Sequence, residues 1–168
     1  MTGTKKKATT ILLLVALAAA AALMMCLPLL PSVLTLRDGE GHLLWANPKA
    51  GEGFTVSFTH SANKGDITES YRFLGDGSFT LTTGTFESYG AGMLDQLPEG
   101  VTMVDEGDRL RLFFPAAPMR ELPMIAGNVA HQRLAGDGYE VDLAKLSAYS
   151  KIFIRHEKAS IIEVLLHS

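Results

Sequence analysis

The sequence predicts an all-β, mostly antiparallel fold, either a sandwich or a partly open barrel, preceded by an N-terminal transmembrane or signal helix. Three observations lead to this prediction. Short segments alternate apolar and polar residues, which is the period of a strand with one buried face. Stretches rich in Gly, Asp, Asn and Pro separate those segments at short intervals. An uncharged apolar run precedes all of them.

The N-terminal segment, residues 1–36, is predicted to be a membrane anchor or a signal segment. Three lysines, Lys5–Lys7, are followed by residues without charge as far as Leu36. The apolar core Ile11–Leu27 would measure ~26 Å as a helix, close to the thickness of the hydrocarbon core of a bilayer. A cleaved signal peptide would use the alanines at 18–22. Because more apolar chain follows those alanines, we favour an uncleaved anchor.

The lysines also predict an orientation. The positive-inside rule places Lys5–Lys7 in the cytoplasm, residues 9–30 in the cytoplasmic membrane and the C-terminal domain outside it, in a single pass. Cys26 is the one cysteine of the chain, so no intramolecular disulfide forms. Lipidation of Cys26 is a weaker alternative, because two methionines replace the small residues expected before a lipidated cysteine.

Residues 37–168 are predicted to form one exported β domain. This part has a formal net charge of −6, since the whole chain carries −3 and the three leader lysines are set aside. An acidic domain is a poor partner for nucleic acid, so we expect none. The predicted strands are His42–Ala46, Phe54–His60, Glu69–Leu74, Phe79–Thr85, Val101–Val104, Arg109–Phe114, Tyr139–Leu143 and Lys151–Arg155.

Three further segments complete the domain. Residues 115–135 indicate a Pro-containing loop and then a strand near Asn128–Leu134. Val141–Ser150 indicates a helix, for which Asp142 is a candidate N-cap. The final "ASIIEVLLHS" fits either a last strand or a helix on the sheet, and it is too short to span a membrane.

A histidine ends the core-facing row of one predicted strand. In "FTVSFTH" the three apolar residues alternate with Thr and Ser, which places His60 on the apolar face. On the next predicted strand, Glu69 shares a face with Tyr71 and Phe73. If residues 61–68 connect the two strands as a hairpin, we expect His60 and Glu69 to meet at the rim of the core.

Three roles for this pair remain open on the sequence. The pair satisfies two polar groups and fixes the strand register, or it binds a ligand, or His60 acts as the base of a hydrolase. A Ser–His–acid arrangement with Ser61 is disfavoured, because adjacent strand residues point to opposite faces. No G-x-S-x-G motif occurs in the chain. Ser61 is more typical of a residue that begins a turn.

The stretch "FESYGAG" suggests a backbone path that side chains would block. Gly90 and Gly92 flank a single alanine directly after Tyr89. Either the turn requires positive φ or a ligand or neighbouring strand lies close against the backbone, and the sequence favours neither explanation.

These motifs together resemble a small bacterial family of uncharacterised proteins that are often encoded beside TRAP transporters of the TAXI type. The resemblance covers about Gly53 to Lys158 and includes the later stretch "GNVAHQRL". It implies that a membrane or solute-binding subunit of a TRAP transporter is a partner, and it supplies no biochemical activity. The matching residues are His60, Ser61, Glu69, Tyr89, Gly90, Ala91 and Gly92.

One further arrangement of side chains would suit a metal ion. His131 would complete a site of two histidines and one carboxylate with His60 and Glu69, but nothing in the spacing requires it. Known zinc and calcium motifs are absent from the sequence, so we predict no metal and no cofactor. The remaining histidines, among them His156, are expected to be exposed or structural.

We therefore expect a non-enzymatic protein, an extracytoplasmic accessory or binding module held in the cytoplasmic membrane. The sequence holds no complete catalytic set. A small-ligand or metal-binding domain that uses His60 and Glu69 is the alternative, and a hydrolase is less favoured. The residues predicted to take part in binding are His60, Ser61, Glu69, Tyr71, Tyr89, Gly90, Gly92 and His131.

Overall fold

A long N-terminal helix, α1 (Thr2–Cys26), begins the chain. Its part Thr9–Cys26 is long and apolar enough to cross a membrane, and none of that part is buried against the rest of the protein. At 1.5 Å per residue this part measures ~27 Å. The predicted helix is therefore confirmed as a segment that suits a membrane anchor or a signal sequence. The computed structural model describes residues 2–60, 65–87, 97–127, 129–147 and 150–168.

Eleven strands and two short helices follow α1 in the described part of the chain. Their bounds are β1 (Leu30–Asp38), β2 (Leu43–Asn47), β3 (Gly53–Thr59), β4 (Asp66–Phe73), β5 (Phe79–Phe86), β6 (Thr102–Asp105), β7 (Leu110–Phe113), β8 (Glu121–Ile125), β9 (Arg133–Gly136), β10 (Tyr139–Asp142), α2 (Leu143–Leu146), β11 (Lys151–Ala159) and α3 (Ile161–His167).

The strands form two antiparallel sheets, which confirms the predicted all-β sandwich. A four-stranded sheet has the order β2-β1-β11-β8, and a seven-stranded sheet has the order β10-β9-β3-β4-β5-β7-β6. Neither sheet closes into a barrel. The chain crosses between the sheets several times, so strands from distant parts of the sequence become neighbours.

The core lies between the two sheets. Alternation along β3 directs Phe54 and Val56 inward, where they meet the inner face of β1 and β11. Ring stacking reinforces the packing, since the ring centroids of Phe54 and Tyr71 lie 4.8 Å apart. The largest fully buried side chains are apolar apart from two threonines: Phe79, Leu34, Leu36, Leu134, Leu143, Ile152, Ile154, Val33, Val56, Thr35 and Thr80.

Two strands were not predicted, and each has a physical reason. β1 begins at Leu30, so residues 30–36, which look like a continuation of the apolar leader, belong to the β domain. β8 contains Pro123, which argues against a strand in the sequence. It is tolerated because β8 is the edge of the four-stranded sheet, where a missing N–H costs no ladder hydrogen bond. The strand predicted near Asn128–Leu134 lies further along, at Arg133–Gly136.

The two C-terminal helices agree with the sequence. Asp142 caps α2, accepting a hydrogen bond from the backbone N–H of Ala144 at 3.1 Å. The final segment forms a helix and not a strand. It begins with a capping box, in which Ser160 and Glu163 bond each other's backbone N–H groups. The box explains why this apolar stretch starts a helix directly after β11.

Candidate functional site

The sandwich has two ends, which are separated by the length of a strand. The anchor end comprises residues 30–32, 73–79 and 156–160, and β1 enters it directly after α1. The distal end comprises residues 59–60, 65–66, 86–87 and 129–132. Because β4 runs from Asp66 at the distal end to Phe73 at the anchor end, the two ends are ~23 Å apart.

The described parts of three motif-bearing stretches meet at the distal end. The backbone N–H of Thr59 donates to the carbonyl of Ala130 at 2.8 Å, which joins the end of β3 to the "GNVAHQ" loop. The backbone N–H of Asp66 donates to the carboxylate of Glu87 at 3.2 Å, which joins the start of β4 to the end of β5. Three stretches that are far apart in the sequence therefore lie side by side.

The register of β3 and β4 does not bring His60 and Glu69 together as predicted. Gly65 lies opposite His60, and its carbonyl accepts a 2.9 Å hydrogen bond from the His60 backbone N–H. Glu69 lies opposite Val56, four residues further along β4. The connection is shorter than the expected residues 61–68, because β4 already begins at Asp66. His60 is therefore at the rim, and Glu69 is further inside.

Glu69 is a carboxylate on the inner face of the seven-stranded sheet. Its cross-strand neighbours are the buried Val56 on β3 and the buried Gly84 on β5. The hydroxyl of Tyr71 donates a hydrogen bond to a carboxylate oxygen of Glu69 at 2.6 Å. The ring edges of Phe86 and Phe114 lie over Gly84, where a Cβ would approach them to 3.2 and 3.3 Å. Glu69 thus stands among apolar groups but remains partly exposed.

The electrostatics of this pair follow from burial. Burial raises the pKa of the Tyr71 hydroxyl far above its usual value, and the adjacent Glu69 carboxylate raises it further. Tyr71 therefore stays a neutral donor. It holds one carboxylate oxygen of Glu69, so the position of this carboxylate on the inner face is fixed.

His131 is at the distal end, but it is exposed. It has a φ of 47° in the turn that follows residue 128, and its backbone neighbour Ala130 contacts Thr59. Among the described residues, no group of three or more His, Cys, Asp and Glu side chains lies close enough to hold a metal ion. The predicted site residues Ser61, Tyr89, Gly90 and Gly92 lie outside the residues that the structure describes.

A second polar region lies at the anchor end and was not predicted. A cleft of about 660 Å³ is lined by residues of both sheets, including Ser32, Gly75, Arg120, Arg155, His156 and Lys158. The ring of His156 stacks on Phe73 with centroids 4.0 Å apart. Burial lowers the pKa of His156, and its Nδ1 has no hydrogen-bond partner within the described ranges. The alternation Ile152, Ile154, His156 is the same signal that singled out His60.

A comparison with protein families finds a match over the middle of the chain. A model of the DUF1850 family, a domain of unknown function, matches residues 54–143. The chain belongs to the DUF1850 family. The DUF1850 match begins in β3 and ends at the start of α2, so it covers every strand of the seven-stranded sheet. No curated protein and no solved structure matches the chain.

Most of the four-stranded sheet lies outside the DUF1850 match. Three of the four strands of that sheet, β1, β2 and β11, come from flanking sequence, and so does α3. The family segment therefore contributes the sheet that carries Glu69, Tyr71 and the distal end. The flanking segments complete the core and connect it to α1.

Proposed function

We propose that this DUF1850 protein is a membrane-anchored extracytoplasmic accessory or binding module that presents its distal end to a protein partner. The partner that the family resemblance implies is a membrane or solute-binding subunit of a TRAP-type solute transporter. One observation carries the proposal: the described parts of three motif-bearing stretches, the ends of β3 and β5 and the loop before β9, meet at the end of the sandwich that lies ~23 Å from the anchor.

The position of the distal end suits an interaction surface. A helix such as α1, anchored in the cytoplasmic membrane, holds the anchor end near the bilayer, so the distal end faces away from it. His60, Asp66, Glu87 and His131 line this end with groups that hydrogen-bond or carry charge. Loops on a rigid sheet are where binding residues concentrate.

The first test is a pull-down of the tagged full chain from its own membranes in mild detergent. We expect transporter subunits to copurify with the wild type, and to be lost with His60→Ala or Glu87→Gln, each of which changes a side chain at the distal end. His167→Ala is the matched control for the histidine, because His167 ends α3, which contacts α1 and begins directly after residues of the anchor end. Glu140→Gln, which changes an exposed carboxylate on β10, is the control for Glu87.

The melting temperature of each variant is measured beside the pull-down, so that loss of partner binding can be distinguished from loss of folding. Loss of the partner from the two site variants alone, at unchanged melting temperature, supports the distal end as the contact. A wild-type chain that copurifies with no transporter subunit contradicts the accessory role. Equal loss from the control variants contradicts the assignment of the contact to the distal end.

A second candidate function is the binding of a small ligand on the inner face. The observation in its favour is the Glu69 carboxylate, which Tyr71 fixes at 2.6 Å beside phenylalanine rings. A carboxylate flanked by apolar side chains suits a small molecule that carries a cationic or hydrogen-bond-donating group. A hydrolase is disfavoured, because Glu69 does not lie beside His60 to orient it.

Thermal melting of the full chain tests ligand binding. Divalent cations and small organic amines are added separately, and each melting temperature is compared with that of Glu69→Gln. A ligand at 100 times its Kd adds about 2.7 kcal/mol to the free energy of unfolding. A rise in melting temperature that Glu69→Gln abolishes supports the site. A rise of equal size in the variant shows that binding takes place elsewhere.

A further inference from the structure

The C-terminal helix α3 carries apolar side chains on opposite sides. Val164 is buried against the outer face of the four-stranded sheet. Ile162, Leu165 and Leu166 stand at spacings of three and four residues on the other side, and their exposed fractions are 40%, 66% and 73%. A helix that is apolar on both sides is normally covered on both sides. These three residues form the outer stripe of α3.

The outer stripe is held outward by contacts on the buried side. Glu163 accepts hydrogen bonds from the backbone and hydroxyl of Ser160 at 3.0 and 2.8 Å, and it lies 3.5 Å from the guanidinium of Arg37. Val164 packs in a cluster with Val33, Leu43, Ala46 and Ala159. Rotation of α3 to bury the outer stripe would break both sets of contacts.

The outer stripe continues the apolar surface of the anchor helix. α3 is in contact with α1. Leu30, which follows α1 closely in the chain, packs against the same cluster as Val164. Between them, Leu27 and Leu29 are also exposed, at 44% and 50%. An exposed apolar surface therefore runs from the end of α1 to the outer stripe.

We propose that α3 lies at the surface of the membrane that α1 spans, with the outer stripe in contact with lipid. At seven residues α3 measures ~10 Å and is too short to cross a bilayer, but a short apolar face suits the interfacial region. The acidic residue of α3, Glu163, is directed toward Arg37 and Ser160 and is not part of the outer stripe, which consists of apolar side chains. The proposal rests on the proposed function, in which α1 remains as an anchor.

This arrangement has a consequence for the distal end. One helix alone lets the domain swing relative to the bilayer. A second apolar contact beside α1 fixes its tilt and keeps the distal end at a set height above the membrane. A partner embedded in the same membrane would then meet a surface in constant orientation.

Depth-dependent fluorescence quenching in nanodiscs tests the proposal on the full chain. The nanodiscs contain phosphatidylethanolamine and phosphatidylglycerol, with or without lipids spin-labelled near the headgroup. In a Cys26→Ser background, single cysteines are introduced as Leu166→Cys, Leu14→Cys and Lys145→Cys and labelled with an environment-sensitive dye. All three side chains are well exposed, so the labels leave the core intact.

At positions 14 and 166 we expect a blue-shifted emission in both kinds of nanodisc and a loss of fluorescence in those that contain spin-labelled lipid. At position 145 we expect neither change. Quenching at 14 but not at 166 overturns this inference and leaves the anchor standing. A blue shift at 166 without quenching by spin-labelled lipid also overturns it, because a second copy or another protein would then cover the outer stripe. Absence of quenching at 14 overturns the anchor together with the inference.

Discussion

The hydroxyl of Tyr71 donates a 2.6 Å hydrogen bond to the carboxylate of Glu69, two residues earlier on the same strand. The phenol ring is buried in the core, while the carboxylate is partly exposed on the inner face of the sheet. The bond therefore connects the stability of the core to the geometry of the candidate site. Replacing Tyr71 by phenylalanine removes the bond and keeps the ring that stacks on Phe54.

Tyr71→Phe should lower the free energy of unfolding by about 1–2 kcal/mol, because it removes a charge-assisted hydrogen bond and keeps the stacked ring. Tyr139→Phe is the matched control. The Tyr139 hydroxyl is buried with no hydrogen-bond partner among the described residues, so its removal should be neutral or stabilising. Urea denaturation of both variants measures the difference. Equal destabilisation would contradict the role assigned to the bond.

The alternation of residues was enough to predict the strands around Glu69 but not their register. Phe54, Val56 and Phe58 indicated β3, and the structure confirms it. The alternation also continues backward from Tyr71 through Glu69 to Ile67, so β4 starts earlier than expected. The length of a turn is not encoded in the period of its strands. The predicted His60–Glu69 contact was therefore wrong.

The convergence of the motif segments at the distal end could not be predicted, because it depends on strand order. β9 pairs with β3 across about eighty residues of sequence, and this pairing brings Ala130 to Thr59. Such a pairing results from the packing of the whole sheet and leaves no local signal. The uncharged apolar run was sufficient to predict α1, and the alternation with its turn-rich separators was sufficient to predict the all-β class.

The ion pair between Arg37 and Glu157 should contribute to stability more than exposed pairs do. Its atoms lie 2.6 Å apart, and the two side chains are 15% and 26% exposed. Arg37→Met would leave the partly buried Glu157 carboxylate without its cation and would also remove the 3.5 Å contact with Glu163, so we expect a loss of about 2 kcal/mol. Arg120→Met, which breaks the exposed pair with Asp76, should cost less than about 0.5 kcal/mol.

Chemical denaturation of both arginine variants at the same ionic strength provides the comparison. The Arg37 effect should persist at high salt, because a poorly exposed pair is screened less than an exposed one. A loss that is equal in the two variants, or that salt removes from both, would mean that the Arg37 pair acts as a surface pair.

His156 should make stability depend on pH in a specific direction. Burial lowers its pKa in the folded state, so the unfolded chain binds more protons as the pH falls below ~6.5. The contribution of His156 is thus present above that pH and is lost as the pH falls toward the folded pKa. His156→Phe keeps the ring on Phe73 and removes the titration. The decline in stability between pH 7.5 and 5.5 should be smaller in the variant.

His42 provides a control of opposite sign for this pH series. Its ring lies 3.0 Å from the carboxylate of Asp38, which raises its pKa, so its contribution is present below ~6.5 and is lost as the pH rises. His42→Ala should therefore steepen the decline toward low pH, where His156→Phe flattens it. Urea midpoints at several pH values give both slopes. Changes of the same sign would show that the effect of His156 is not due to its own titration.

Gly53 should be the least replaceable glycine near the Tyr71–Glu69 pair. It opens β3 opposite Arg72, and a Cβ at this position would collide with the backbone carbonyl oxygen of Tyr71. Because backbone atoms cannot move aside without breaking the ladder, we expect Gly53→Ala to cost about 3 kcal/mol. Gly75→Ala should change stability by less than about 0.5 kcal/mol, since nothing lies within 4 Å of its Cβ. Melting of both variants measures this, and a well-tolerated Gly53→Ala would mean that the start of β3 can move away from Tyr71.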